Sequence, residues 1–328
     1  MRVQSADLSL TSHRYHILKS YDSSTVGICG GTLSPASFRA CGRGLWRDTV
    51  HAQLHGAELE KELGLALFTR SAHGVSPTPS GEKLIAQARH ILDEAGRMAA
   101  MAVEERGGVG GVFRLGILPT IAPYLLPRFF PSLCLRNKTL DLRVVEMKTD
   151  EMKRALERHE IDAGIMVAVE GLEGFDCHTL YYEQFLAYVA RQDALFSHQS
   201  IKTADLADEA LWLLDEGHCF RDQLVKFCSL KSATAPRRTY TLGSIETFMR
   251  MVESGMGVTF IPELALEQLS AEQRGLVRPC AIPIPTREII LTTTTDFVRH
   301  TLRHLLVDSI RHSVPPQMLK LNNTEQRV

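Results

Sequence analysis

No stretch of about 18 consecutive apolar residues occurs in the 328 residues, so no membrane-crossing helix is expected. Net charge is lacking too: 37 Lys and Arg against 38 Asp and Glu leave −1. That balance gives no global attraction to nucleic acid, although a small DNA-binding module on a neutral sensing domain would show the same total. The opening residues MRVQSADLSLTSHRYH contain no apolar core of a secretory signal. With that and an odd count of 7 cysteines, the reducing cytoplasm is the expected compartment, where disulfides are transient and regulatory. Cys29, Cys41, Cys134, Cys177 and Cys280 show no Cys-x2-Cys spacing, so neither a metal site nor another cofactor is expected. Internal repeats and long low-complexity tracts are also missing.

What remains is ordinary soluble composition, 44% hydrophobic and 23% charged, with length for two or three domains. Residues 1–57 are rich in Gly, Ser, Arg and Cys and carry no sustained apolar period. Leu59 to Leu63 reads as helix stopped by Gly64. Residues 67–78 read as two extended pieces around a turn at His73-Gly74. Ser80 is the expected cap of a long helix whose apolar residues, from Leu84 and Ile85 through Ala102, recur at three and four. Such a stripe suits pairing with another helix. Gly107-Gly108-Val109-Gly110-Gly111 reads as a linker.

Beyond the linker, strand Phe113–Leu118, a helix around Tyr124–Arg136, strand Asp141–Glu146, helix Glu151–His159 and strand Asp162–Val167 make βαβαβ. That order marks an α/β unit with a parallel sheet. A second unit follows, with strands near Gln184–Ala190 and Leu211–Leu214, a helix from Cys219, a helix Ser244–Glu253 and strand Gly257–Ile261. One more strand and helix lie within 287–313. Thr120 and Thr149 each fall between a strand and a helix, where a hydroxyl and free backbone N–H groups can meet a ligand or simply cap the helix.

The run Gly217-His218-Cys219-Phe220-Arg221 through Cys228 carries the most chemistry. A helix start and flanking cations favour thiolate, the form that attacks peroxide. Nine residues of helix rise ~13.5 Å and turn ~900°, which sets Cys219 and Cys228 on opposite faces. A disulfide needs Cα atoms within about 7 Å, so the pair can bond only if the helix melts. Inert core thiols are the plainer alternative.

Leu59-Glu60-Lys61-Glu62-Leu63-Gly64, Leu67-Phe68, Arg70, Gly74-Val75 and Thr78-Pro79-Ser80-Gly81 resemble the end of a LysR-type winged helix-turn-helix. The helix after them resembles that family's dimerising linker. Ser244-Ile245-Glu246-Thr247, Met251-Val252, Gly255-Met256-Gly257 and Ile261-Pro262 are similar to its effector domain. Gly116 to Thr120 with Pro123 to Pro127, and Gly217 to Cys228, resemble the family's peroxide-sensing branch. Upstream of Leu59 the pattern departs: glycines, cysteines and arginines replace the expected helices. There Asp48 to Leu54 resembles a displaced recognition helix, as a shifted reading frame across about residues 20–57 would produce.

The resemblance implies an α/β fold class: an atypical or damaged N-terminal winged helix-turn-helix (1–79) and a linker helix with a Gly-rich hinge (80–111). After these come a two-subdomain, periplasmic-binding-protein-like effector domain (112–182 and 287–313; 183–286) and a polar tail (314–328). It implies a DNA-binding regulator of oxidative-stress genes rather than an enzyme, with Cys219 peroxidatic and Cys228 resolving. It further implies Thr120, Thr149, His218 and Arg221 at the peroxide pocket, and homodimers or homotetramers on promoter DNA, with RNA polymerase a possible partner. Arg70 and His73 become candidate phosphate contacts from the wing. A LysR-type regulator of a small organic acid with inert thiols, and more remotely a thiol peroxidase or solute-binding protein, are the competing readings.

Overall fold

The computed structural model describes residues 59–71, 74–206, 211–214, 219–227, 244–255 and 257–328. The chain divides into two compact units, one up to Ala99 and one from Ala100 onward.

In the N-terminal unit, residues 59–63 are helical and end at Gly64, whose φ of +63° is the left-handed conformation that glycine adopts freely. β1 (Phe68–Ser71) and β2 (Gly74–Pro77) form an antiparallel hairpin. Glu60 fixes its start: Oε1 accepts from the Leu67 and Phe68 amides at 2.6 and 2.9 Å. Helix α1 spans Pro79–Glu104, two residues earlier than a Ser80 cap allows. The cap is Thr78, whose hydroxyl accepts from Gly81 N at 2.9 Å and donates to Ala66 O at 2.7 Å. Pro79 then takes the first helical position, where its missing N–H costs nothing.

The larger unit is built on a mixed sheet. Its strands are β3 (Gly111–Ile117), β4 (Leu140–Glu146), β5 (Ala163–Val167), β6 (Phe175–Val189), β7 (Leu211–Trp212), β8 (Val258–Pro262), β9 (Val277–Pro279), β10 (Ile284–Thr294) and β11 (Glu325–Arg327). The order is β4-β3-β5-β10-β6-β8-β7, with β11 beside β10 and β9 beside β6. The expected βαβαβ is present: β3 is parallel to both β4 and β5, connected through α2 (Ala122–Arg136) and α3 (Thr149–Glu157). The two long strands β6 and β10 are antiparallel partners and join the halves of the sheet. The second half adds α4 (Cys219–Phe227), α5 (Ile245–Glu253), which Ser244 caps through Thr247 N at 3.1 Å, and the short α6 (Ala271–Arg274).

Packing is continuous across both halves. Phe113, Leu115, Ile117, Leu125, Phe129, Met152 and Ile165 are buried on one side, and Phe185, Tyr188, Leu224, Phe248, Val258 and Ile261 on the other. Gly164 has Met152 Sδ only 2.5 Å from where a Cβ would stand, so α3 lies close on the sheet through a missing side chain. Helix α7 (His300–Ser313) closes the first half with Leu302, Leu306 and Ile310 buried. The residues after it are not a loose polar tail. Val314 and Met318 are buried, and β11 pairs in parallel with Ile284–Thr286 of β10.

Candidate functional site

Cys219 is the first residue of α4, so the thiol stands at a helix start as its sequence context suggests. Buried Phe220 and Leu224 dock the helix on the sheet, with the Phe220 ring 4.8 Å from Phe185 of β6. This docking buries Cys219 to 9% exposure, and its thiol is free. Burial raises its pKa above the ordinary 9.0, against the lowering expected from a helix terminus and cations. The Thr149 hydroxyl, the Arg287 charge and the Phe220 backbone all work the other way, while Asp222 adds to the rise. Desolvation wins because this sulfur has almost no water around it.

Among the described residues, the cation whose charge favours the thiolate is Arg287, which the sequence patterns do not single out. It lies beside Glu288 inside the otherwise apolar and β-branched strand β10, and that charged interruption was the available signal. Its guanidinium is 1% exposed and ion-paired with Glu183 of β6, Nη2 to Oε2 2.7 Å and Nε to Oε2 2.9 Å. Nη1 donates to Thr120 Oγ1 at 3.1 Å and Nη2 to Thr120 O at 3.0 Å. Glu183 Oε1 accepts from Leu264 N at 3.1 Å. The guanidinium carbon also sits 5.1 Å from the Phe220 ring centroid. One buried ion pair therefore ties both halves of the sheet, the loop after β3 and the first turn of α4.

Neither threonine is a helix cap. Ile121 and Lys148 occupy the cap positions of α2 and α3 without side-chain bonds, and Thr149 is already helical. Thr120 spends its hydroxyl on Arg287. Thr149 is buried, and its Oγ1 closes no full hydrogen bond, yet it lies near enough to the Cys219 sulfur to favour the charged form. Thr120 is thus bound to Arg287, while Arg287 and Thr149 each act on the Cys219 sulfur. Arg221 is half-buried and two positions along α4, about 200° around the helix from Cys219. His218, Cys228 and His73 lie outside the described residues. Arg70 belongs to β1.

Two further contacts frame the site. Tyr124 of α2 donates to Glu246 Oε1 of α5 at 3.0 Å, joining helices from opposite halves. Burial first, then the Glu246 charge, pushes the Tyr124 phenol far above its ordinary value, so it remains a donor. Arg128 pairs with Glu267 at 2.5 Å along the same seam. Among the described residues there is no group of His, Cys, Asp or Glu that could hold a metal ion. No described helix is long and apolar enough to cross a membrane.

A buried cysteine at a helix start, with an arginine charge and a threonine hydroxyl favouring its ionised form, is a candidate redox centre. Comparison with known proteins gives the same direction. Residues 106–314 match the LysR substrate binding domain. The DNA-binding transcriptional dual regulator OxyR of Escherichia coli K12 is 32% identical over 243 residues, 74% of this chain and 79% of that protein. A crystal structure of an OxyR mutant from Porphyromonas gingivalis is 46% identical, with a TM-score of 0.63, over 66% of this chain and all of that one. A cysteine-to-serine mutant of OxyR from Corynebacterium glutamicum with H2O2 bound is 26% identical, with a TM-score of 0.61, over 80% of this chain and 83% of that one.

Proposed function

The chain belongs to the LysR family, and on that premise we propose that it is a peroxide-sensing transcription regulator that reads H2O2 through Cys219 and Cys228. The observation that carries this reading is the buried Cys219 thiol, on which Thr149 and Arg287, itself bound to Thr120, both act. The thiolate attacks one peroxide oxygen. An S–O bond forms, the O–O bond breaks, hydroxide leaves and takes a proton to become water, and Cys219 is oxidised by two electrons to sulfenic acid. The Cys228 thiol then attacks that sulfur, an S–S bond forms, and water departs.

The first step fits the site because Arg287 is held by Glu183 and Thr120 and needs no reorganisation to favour the anion. The second step requires α4 to unwind, since the helix from Cys219 to Phe227 sets its two ends ~12 Å apart, beyond the reach of a disulfide to the next residue. Moving a two-state element from 1:99 to 99:1 takes about 5.5 kcal/mol. For a two-electron couple that is roughly 120 mV, within the range of biological thiol couples. The rearranged effector domain then alters a dimer or tetramer on promoter DNA and switches oxidative-stress genes. Ile91 and Met98, 58% and 70% exposed on α1, supply an apolar face for pairing with a second helix. Cytoplasmic location and contact with RNA polymerase belong to the same reading.

Mass spectrometry after a peroxide pulse tests it. The parent should form a 219–228 crosslink that dithiothreitol reverses, Cys219→Ser should be unresponsive, and Cys228→Ser should stop at sulfenic acid. An intact parent with no crosslink overturns the reading. One observation favours a second reading, a LysR regulator of a small organic effector with inert thiols: burial pushes the Cys219 thiol's pKa up rather than down. Thiol titration against peroxide separates the two.

A further inference from the structure

Helix α4 is tied to the sheet by a contact that the peroxide chemistry does not use. Gln223 lies four residues after Cys219, one turn along the same helix face. It is buried to 7% exposure, and its Nε2 donates to Val328 O at 2.7 Å. Its Oε1 is also buried and has no hydrogen-bond partner among the described residues, so the bond that ties this amide is the one to Val328.

Val328 is itself held firmly. Its N–H donates to Thr286 O at 3.1 Å, one residue before Arg287. The strand leading to it, β11, is tied on several sides. Ile284 N donates to Thr324 O at 2.9 Å, Arg327 pairs with Glu288 at 2.6 Å, and Gln184 donates to Glu325 Oε1 at 2.6 Å. Glu325 in turn accepts from Asn322 N at 2.8 Å. β11 is therefore a strap that runs along the strand carrying Arg287 and ends on the helix carrying Cys219.

We propose that Gln223 and the β11 strap position α4 in its helical, reduced arrangement, and that the Gln223–Val328 bond must release before Cys228 can reach Cys219. The inference rests on the redox reading above. Gln223 and Val328 act as positioning residues: neither donates to peroxide in this role, and both set how readily the helix gives way. A strap that stabilises only the reduced form makes the disulfide harder to form and easier to reset.

The test uses the full chain equilibrated in glutathione buffers of stepped potential, with alkylation and mass spectrometry reading the fraction of 219–228 disulfide. Val328→Pro removes the N–H that holds Val328 to Thr286. Gln223→Leu removes the donor while keeping the side chain's bulk. Losing one hydrogen bond should favour the disulfide about fivefold, which moves the midpoint by about 20 mV to more negative potential. Each variant should show that shift, and the double variant no more than either alone, because the Thr286–Val328 and Val328–Gln223 bonds act in series and losing either releases the same tie. Midpoints unchanged in the variants overturn the strap, as do two shifts that add in the double. If Gln223→Leu fails to fold, Val328→Pro at the strand end still decides. A parent that forms no 219–228 disulfide at any potential defeats the redox reading itself, which the variants' midpoints do not address.

Discussion

Arg287 and Glu183 are directly paired residues of β10 and β6, and their side chains form an ion pair in which both partners are 1% exposed. Removing one member strands a buried charge. Arg287→Met should therefore cost about 3–5 kcal/mol of stability, read as a lowered urea midpoint. Replacing both, as Arg287→Met with Glu183→Leu, should recover much of that loss. A double variant as unstable as the single one would contradict this account. In either variant Cys219 loses the charge that offsets its burial, so reaction with peroxide should slow even where the fold is recovered.

The raised Cys219 pKa predicts a pH profile. Burial is the main cause, so the folded protein holds the proton to a higher pH than the unfolded chain, whose thiol titrates near 9.0. Well below that value the thiolate fraction, and with it the rate of peroxide consumption, should climb about tenfold per pH unit. The stability linkage has the opposite sign. The contribution of the neutral thiol is fully present below the unfolded value and is lost as pH rises through the folded one. Stopped-flow peroxide kinetics between pH 6 and 8.5 checks the first statement, and a rate already flat across that range refutes it.

Where the apolar period was regular the fold was legible. Residues 59–63 with Gly64, the hairpin and the βαβαβ order all follow from spacing and turn chemistry. β6 was only half visible, because Asp176, His178 and Glu183 interrupt the pattern of a strand that runs over Phe175–Val189. Glu183 is tolerated there only because Arg287 faces it, a tertiary pairing across 104 positions that no local window contains. Thr78 won the cap over Ser80 because its hydroxyl also reaches Ala66 O. Cys219 was legible from its neighbours. Its reluctance to ionise was not, since desolvation is set by Phe220, Leu224 and the sheet beneath them.

Gly81→Ala should damage the N-terminal unit out of proportion to its size. A Cβ at Gly81 would stand 2.0 Å from Leu67 O, a backbone atom that cannot swing aside. The hairpin and the first turn of α1 would have to separate, which also opens the Thr78 cap. A loss at the upper end of the ~1–3 kcal/mol typical of overpacking is expected. Hydrogen exchange at the β1 and β2 amides should accelerate while the β3–β5 amides stay protected. Equal protection of β1 and β2 in parent and variant would refute the clash.

Thr149 allows stability and chemistry to be moved in opposite directions. Its Oγ1 is buried without a full hydrogen bond, and the helix cap belongs to Lys148, so the hydroxyl contributes little to the fold. Valine has nearly the same shape and no buried oxygen to desolvate. Thr149→Val should therefore leave stability unchanged or raise it by up to about 1 kcal/mol. The same change removes a group that favours the Cys219 thiolate, so the thiol should titrate at higher pH and react more slowly with peroxide. Urea unfolding and peroxide kinetics on one preparation decide the point. A variant both less stable and equally fast would mean that Thr149 holds the helix rather than tuning the sulfur.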